Sequence, residues 1–374
     1  MTVFLFIVIL ALLVFSHELG HFSVAKFFDI RVDEFGLGFP PRLWARKRGE
    51  TEYSLNLLPI GGFVKIFGET PDDESLRGPD RARSLVAKPR LVQAAVLVAG
   101  VAANFLLAWL LLSLGYLFGL PTPVSEIGLT DRQSATKLLI VSLSPDSPAA
   151  GAGLKAGDEL VALARADKPG APQPVLTPEQ VQSFVARTGE RPLVVHYRRG
   201  AVFKQTDLPT QTVTLTPVAG LVADRPAIGI AMDQIAISRK NLPAAIGSGL
   251  VLAGRLSLAT VRSLGQLFAE LGAGKNVLNY VTGPVGLVGL VGDASSLGWI
   301  YLLSFTAFIS INLMIINLIP FPALDGGRLL FLLIEKIKGS MISPKIANAV
   351  NLAGFVLLIA LMLLVTYGDL TRLF

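Results

Sequence analysis

The 374-residue chain contains no cysteine, which excludes disulfide scaffolds, iron–sulfur clusters, thiol proteases and zinc sites built on thiolates. Charged residues are also scarce. They make up 16% of the chain, against about a quarter of a typical soluble domain. Hydrophobic residues make up 52%, which is too many for a disordered chain. The composition therefore predicts a membrane protein, and the net charge of +6 is compatible with basic cytosolic loops, without a nucleic-acid partner.

Four segments have almost no charged residues and are long enough to cross a bilayer, which takes about 20 apolar residues. They lie at residues 2–25, 91–118, 299–324 and 346–367. The first begins with Met1-Thr2-Val3 and lacks the basic region of a signal peptide, so we expect it to be retained. These segments predict a polytopic α-helical membrane protein with about four transmembrane helices.

Basic residues predict the orientation of these helices. The loop at residues 26–90 contains twelve Lys and Arg residues, and the turn at 336–345 contains three more. Because short loops that are rich in basic residues stay in the cytosol, we expect both connections to be cytosolic. Both termini and the long segment 119–298 are then extracytoplasmic.

The connections between the spans are predicted to contain further folded elements. Residues 126–218 alternate strand-like runs with a helix, which predicts a small α/β domain. Residues 219–298 follow it, and within them the apolar spacing of 242–271 indicates an amphipathic helix on the outer membrane surface. A fifth span is the alternative for that helix. In the cytosolic loop, two apolar runs predict a β-hairpin at 53–67 that reaches membrane depth inside the protein.

The first span carries the sequence His-Glu-Leu-Gly-His at residues 17–21. His17 and His21 share one helix face, so both imidazoles can bind one zinc ion, and Glu18 can act as a general base toward water. Two of the three histidines of the chain lie here, in an apolar segment where ionisable groups are costly and usually functional. The alternative, a polar cluster that only joins helices, hardly accounts for three such groups at ligand spacing.

A catalytic zinc ion needs a third protein ligand and an open position. Asp325 is the intramembrane candidate, because within the segment 317–327 two helix-breaking prolines precede it and a pair of glycines follows it. A broken helix at membrane depth normally lines a cavity. Asp325 and His21 also lie at similar depths near the cytosolic ends of their spans. His196 belongs to a strand-like run of the outer domain and is interpreted as a surface residue.

These motifs resemble those of the site-2 protease family of intramembrane zinc metalloproteases. The resemblance rests on the zinc-binding motif at 17–21, the hairpin sequence Gly61–Lys65 and the aspartate motif at 317–327. Ser147–Leu163 resembles the core of a PDZ domain. The order of the parts resembles the bacterial branch that regulates sigma-E, although 126–218 has room for one PDZ-like domain and the enterobacterial member has two.

The resemblance implies a zinc metalloendopeptidase with one zinc ion per chain. The ion would be held by His17, His21 and Asp325, with Glu18 as the catalytic base. The catalytic machinery would be divided between two transmembrane halves, residues 1–118 and 299–374. The implied substrate-binding residues are Asn312, Asn317, Gly61, Gly62, Phe63 and Val64.

The resemblance also implies a substrate and a location. The substrate would be a single-span membrane protein that another protease has already trimmed, such as an anti-sigma factor, or a signal-peptide remnant. It would be unwound and added to the hairpin as a β-strand. The PDZ-like domain would bind a peptide end or exclude large ectodomains. The protein would lie among the lipids of the bacterial cytoplasmic (inner) membrane, with its active site near the cytosolic face.

Two functions from other classes are alternatives. A non-catalytic scaffold that presents a PDZ-like module explains the outer domain, but it does not explain the zinc-binding motif together with Asp325. A zinc transporter needs polar groups along a path through the membrane, with a site near the midplane, whereas these residues lie near one face. Zinc stoichiometry separates the scaffold from the protease, and cleavage that depends on Glu18 separates the transporter.

Overall fold

The computed structural model describes residues 1–70, 73–124, 136–144, 146–200, 208–222, 225–275 and 281–373. The chain forms two compact units. The first unit comprises Met1–Leu114, Ile246–Asp293 and Leu303–Phe374, and the second comprises Gly115–Ala245 and Ala294–Leu302. The predicted start of the outer domain at residue 126 lies outside the described residues.

Ten α-helices occur in the described part of the chain. They are α1 (Thr2–Phe27), α2 (Asp73–Arg77), α3 (Arg90–Phe118), α4 (Pro148–Gly151), α5 (Pro178–Thr188), α6 (Leu242–Gly272), α7 (Pro284–Leu297), α8 (Trp299–Leu318), α9 (Asp325–Lys338) and α10 (Pro344–Leu373). Five of them, α1, α3, α6, α8 and α10, are long and apolar enough to cross a membrane. Helices α1, α3 and α10 contain the predicted spans at 2–25, 91–118 and 346–367. The predicted span at 299–324 is wrong at its end, because α8 stops at Leu318, just before the two prolines. The fifth helix, α6, is the predicted amphipathic helix, whose placement stays a prediction.

Eleven β-strands occur in the same described ranges. They are β1 (Val32–Arg48), β2 (Thr51–Ile66), β3 (Leu120–Pro123), β4 (Lys137–Leu143), β5 (Glu159–Arg165), β6 (Gln173–Pro174), β7 (Leu193–Arg198), β8 (Gln211–Leu215), β9 (Val218–Val222), β10 (Arg225–Ala227) and β11 (Ile230–Ser238). They form a two-stranded sheet of β1 and β2, a two-stranded sheet of β9 and β10, and one seven-stranded sheet.

Helices α1 and α3 pack closely in the first unit. A Cβ on Gly20 would lie 2.3 Å from the carbonyl oxygen of Ala99, so only glycine allows this approach. The hydroxyl of Ser16 donates to the carbonyl oxygen of Ala103 at 3.3 Å. Residues later on α1 contact residues earlier on α3, so the two helices are antiparallel. A buried apolar cluster then joins α3 to α6 and α8, with Leu112, Ala253, Ala307 and Ile311 among its members.

Strands β1 and β2 form a hairpin in which β1 also pairs with a second segment of β2, since residues 34–37 pair with both 52–55 and 62–65. Arg48 pairs with Thr51 at its end, and the turn contains Gly49 in a left-handed conformation. The predicted hairpin at 53–67 is wrong in its boundaries, because both of its apolar runs belong to β2 and their partner is β1. The sequence of β1 does not suggest a strand, because glycines, charged residues and the pair Pro40-Pro41 all lower β propensity.

An ion-pair cluster holds the turn of this hairpin beside the end of α1. Glu50 accepts hydrogen bonds from Arg83 at 2.6 and 2.8 Å and also pairs with Lys26. The hydrogen bonds from Arg83 lower the pKa of Glu50 to about 2, against the opposing effect of burial. Glu50 is therefore charged at neutral pH, and the hairpin is anchored at its turn.

The second unit is built on the seven-stranded sheet. Its strand order is β3-β11-β4-β5-β7-β8, with β6 paired to β5. Helix α5 packs on this sheet through Val181, Phe184 and Val185, and a capping box of Thr177 and Gln180 begins the helix. The described part of residues 126–218, where the sequence predicts a small α/β domain, therefore contains sheet strands and one helix packed on them.

The predicted end of this domain at residue 218 is wrong. Strand β11 pairs with both β3 and β4, so the sheet extends to Ser238. The error has a physical reason, because β11 belongs to the sheet only through long-range pairing with strands that lie far earlier in the chain. Its own sequence places Asp233 and Gln234 at its centre, which conceals a strand with neighbours on both sides.

Candidate metal centre

Three side chains that the sequence predicts as ligands meet at one point of the first unit. His17 and His21 lie one turn apart on α1, and Asp325 is the first residue of α9. Nε2 of His17 lies 3.1 Å from Nε2 of His21 and 3.1 Å from Oδ2 of Asp325. Nε2 of His21 lies 3.4 Å from the same oxygen. These three atoms form a nearly equilateral triangle.

The triangle has the dimensions that a tetrahedral zinc ion requires. Ligand atoms about 2.0–2.1 Å from zinc lie about 3.3 Å from one another. Oδ2 of Asp325 is buried and has no hydrogen-bond partner among the described residues, although two imidazole nitrogens converge on it. Two neutral imidazoles and one carboxylate are also a ligand set that zinc prefers. The three side chains therefore fit a zinc ion and leave a fourth position for water or substrate.

Residues of helix α3 contact Nδ1 of both imidazoles, the ring nitrogen that does not face the other candidate ligands. Nδ1 of His21 lies 2.8 Å from the carbonyl oxygen of Val96, and Nδ1 of His17 lies 3.3 Å from the side-chain amide of Asn104. A Cβ on Gly100 would lie 2.3 Å from Nε2 of His21, so glycine is required there. None of these three α3 residues was among the site residues predicted from the sequence. Asn104 could have been found as a polar residue in a span without charges.

The break between α8 and α9 positions Asp325. Both predicted helix-breaking prolines lie in this break. A Cβ on Gly326 would lie 2.2 Å from the carbonyl oxygen of Ile319, so glycine allows α9 to begin against the end of α8. Oδ1 of Asn351, on α10, accepts a hydrogen bond from the backbone N–H of Ala323 at 3.2 Å. The carboxylate at the start of α9 is also favoured by the helix dipole.

Strand β2 passes beside the zinc-binding motif on α1. A Cβ on Gly62 would lie 2.8 Å from Cγ1 of Val14 and 3.4 Å from Cγ of Glu18. The strand therefore approaches Glu18 closely because Gly62 has no side chain. Gly61 and Phe63 are half-buried, like Gly62, and Val64 is buried. The structure thus brings part of the predicted substrate-binding set next to the predicted base.

The other predicted residues are not in the cluster. The side-chain amide of Asn312 donates to the carbonyl oxygen of Phe308 in its own helix at 2.8 Å. Asn317 lies in the last turn of α8, and no contact recorded among the described residues joins it to the zinc ligands. His196 lies on β7 of the second unit, where it is half-buried.

Known proteins match the chain over almost its whole length. A family model described as "Peptidase family M50" matches residues 5–361. The chain is 34% identical to a putative zinc metalloprotease of Clostridium perfringens, over 97% of this chain and 98% of that protein. It is 31% identical to the zinc metalloprotease RasP of Geobacillus kaustophilus, over 99% and 97%. It is 28% identical to the "Regulator of sigma-W protease RasP" of Bacillus subtilis, over 100% and 99%.

Proposed function

The chain belongs to peptidase family M50, the site-2 protease family of zinc metalloproteases, and from this premise we propose that it cleaves single-span membrane proteins within or near their transmembrane segments. This membership sets aside the scaffold and the transporter as alternatives. The observation that carries the proposal is the convergence of His17, His21 and Asp325 between apolar helices, with Glu18 in the same motif. The test is cleavage of a single-span model substrate by purified protein, compared with Glu18→Gln.

Each residue of the site would have one role. His17, His21 and Asp325 would hold zinc, which when bound polarises the carbonyl of the scissile peptide bond. Glu18 would take a proton from the attacking water and transfer it to the leaving amine. Asn317 and Asn312 stay proposed substrate contacts at the end of α8. The surrounding apolar helices would limit the access of water to the other parts of the substrate.

Strand β2 would present the substrate to this site as an added β-strand. A peptide bond in a helix is shielded by the helix, so the substrate must unwind before it is cleaved, and the freed backbone groups then need partners. The segment from Gly62 to Ile66 pairs with β1 between Val32 and Leu37, and Gly62 lies beside Glu18. Strand addition here would satisfy the substrate backbone and place it next to the base.

Replacing Gly62 with alanine tests this role of β2. The added Cβ would lie 2.8 Å from Val14 and 3.0 Å from the carbonyl oxygen of Gly36, so the strand must move away from α1. A displacement of about 1 Å can reduce the rate about 100-fold, and we expect cleavage to fall about 10- to 100-fold with zinc binding unchanged. Gly247→Ala is the control, because nothing lies within 4 Å of its Cβ position. Unchanged cleavage by Gly62→Ala would exclude strand addition at this point.

The direction of the helices supports the proposed topology. Gly292, shortly before α8, lies beside Thr2 at the start of α1, and Asp325, shortly after α8, lies beside His21 toward the end of α1. Helices α1 and α8 therefore run in the same direction, opposite to α3. The chain between α3 and α8 must then begin and end at the same membrane face, with an even number of crossings. Because α6 is the only described helix there that is long enough, the parity favours α6 on the outer surface.

Cysteine labelling tests this placement without background, because the chain has no cysteine of its own. Arg239→Cys and Lys275→Cys lie just before and just after α6, and Lys338→Cys marks the predicted cytosolic turn. With a membrane-impermeant maleimide on intact cells, we expect labelling at positions 239 and 275 and none at 338 until the membrane is permeabilised. Protection of position 275 alone would show that α6 crosses the membrane.

The second unit contains a groove that would take a peptide end. Its volume is about 440 Å³, and it lies between α5, β11 and the hairpin of β9 and β10. Val181, Val185 and Met232 provide apolar lining, while Arg225 donates to Gln182 of α5 at 3.0 Å. An apolar groove beside a sheet strand suits an extended peptide. We infer that the trimmed extracytoplasmic end of the substrate binds in this groove.

A further inference from the structure

We propose that Asn104 is a positioning residue for the zinc ligand His17. The oxygen of its side-chain amide would accept a hydrogen bond from Nδ1–H of His17 and hold the ring so that Nε2 faces the metal. This inference rests on the proposed zinc site. It goes beyond that site because Asn104 belongs to a different helix and has no place in the zinc-binding motif.

The position of Asn104 is suited to this role. Its side chain is fully buried, and the amide lies 3.3 Å from Nδ1 of His17. Its backbone carbonyl oxygen accepts a hydrogen bond of 2.8 Å from Ser310, which is fully buried on α8. Asn104 is therefore held by α8 on one side and contacts the imidazole on α1 on the other. A residue fixed in this way can fix the ring that it touches.

The two histidines differ in the hydrogen-bond partner of Nδ1. His21 has a backbone acceptor, the carbonyl oxygen of Val96, at 2.8 Å, and no side-chain substitution removes that oxygen. For His17 the recorded partner of Nδ1 is the side chain of Asn104. The neighbouring carbonyl oxygen on α3, that of Ala103, accepts a hydrogen bond from Ser16. The orientation of His17 therefore depends on one replaceable side chain.

The chemistry of a zinc-bound imidazole specifies what Asn104 must supply. A ring that binds metal through Nε2 carries its proton on Nδ1 and donates it to an acceptor. An asparagine amide has oxygen and nitrogen ends of nearly the same shape. With the nitrogen end toward His17, Oδ1 of Asn104 is buried without a partner among the described residues. With the amide turned by 180°, this oxygen accepts a hydrogen bond from Nδ1–H, and that bond sets the tautomer that zinc requires.

Two substitutions of similar size separate this role from simple packing. Asn104→Asp keeps an oxygen acceptor, whereas Asn104→Leu has none. Loss of such a partner typically weakens metal binding about 10- to 100-fold, and we expect the leucine variant to bind zinc about 10- to 100-fold more weakly than the aspartate variant. Zinc affinity is measured by competition with a chelator on the full-length protein in detergent. The absorption spectrum of the cobalt-loaded protein reports the ligand geometry independently of activity.

The control is Ser113→Ala, which removes another buried polar side chain of α3 whose hydroxyl donates to Trp109 of the same helix. It should bind zinc like the wild type. Equal zinc affinity and equal cobalt spectra for the leucine and aspartate variants would overturn the role of Asn104. If Asn104→Leu does not fold, Asn104→Ala replaces it in the same comparison. Absence of zinc from the wild type would instead overturn the proposed function, so the two failures are distinguishable.

Discussion

Replacing Glu18 with glutamine is expected to reduce cleavage of a single-span substrate by about 10²- to 10⁴-fold, which is the usual contribution of a general base. Glutamine keeps the size of the side chain but cannot take a proton from water. The proposed zinc ligands are His17, His21 and Asp325, which converge at one point, and Glu18 is not among them. Zinc content should therefore remain near one ion per chain, so that the variant separates proton transfer from metal binding.

The measurement requires cleavage and zinc content from the same preparation. Leu19→Ala is a matched control, because Leu19 is the next residue on α1 and 41% of its surface is exposed. Its cleavage rate should stay within about twofold of the wild type, since its side chain is exposed and cannot bind zinc or take a proton. Cleavage by Glu18→Gln at the wild-type rate would assign the base to another group. Loss of zinc from Glu18→Gln would show that Glu18 supports the metal site itself.

The candidate metal site was predictable from the sequence because placing ionisable side chains at membrane depth costs a large free energy. An ionisable side chain in an apolar span is costly, so His17, Glu18, His21 and Asp325 could each be recognised without knowledge of the fold. Helical periodicity then placed both histidines on one face. The meeting of Asp325 with the histidines was also predictable, because their distances from the predicted cytosolic ends of the spans are similar.

The elements that the sequence did not reveal depend on long-range contacts. Asn104 is an uncharged residue in an apolar helix, and its partner His17 is 87 residues away, so only the packing of α3 on α1 brings the two together. Strand β1 contains Pro40-Pro41 and several glycines, and it is a strand because β2 pairs with it. Strand β11 likewise pairs with β3 and β4, which come about 90 to 120 residues earlier in the chain. Local propensity is weak evidence in such cases, because tertiary pairing overrides it.

Removing the third ligand should have an equally large effect on the metal itself. We expect Asp325→Asn to weaken zinc binding by more than about 100-fold, which exceeds the usual effect of losing a partner outside the ligand set. The amide is a poorer ligand than the carboxylate, and it leaves His17 and His21 as the remaining donors of the cluster. Cleavage should then fall to background at zinc concentrations that saturate the wild type.

Thermal unfolding in detergent provides a second measurement of this ligand. A ligand that binds only the folded state raises the free energy of unfolding by about 2.7 kcal/mol when present at 100 times its Kd. Wild-type protein should therefore unfold at a higher temperature with zinc than with a chelator, whereas Asp325→Asn should show little difference. Asp167→Asn is the control, because Asp167 is 56% exposed and pairs with Arg165 in the second unit. If Asp325→Asn kept both its zinc and the zinc-dependent rise in unfolding temperature, another residue would have to hold the metal. The break between α8 and α9 would then not position a zinc ligand.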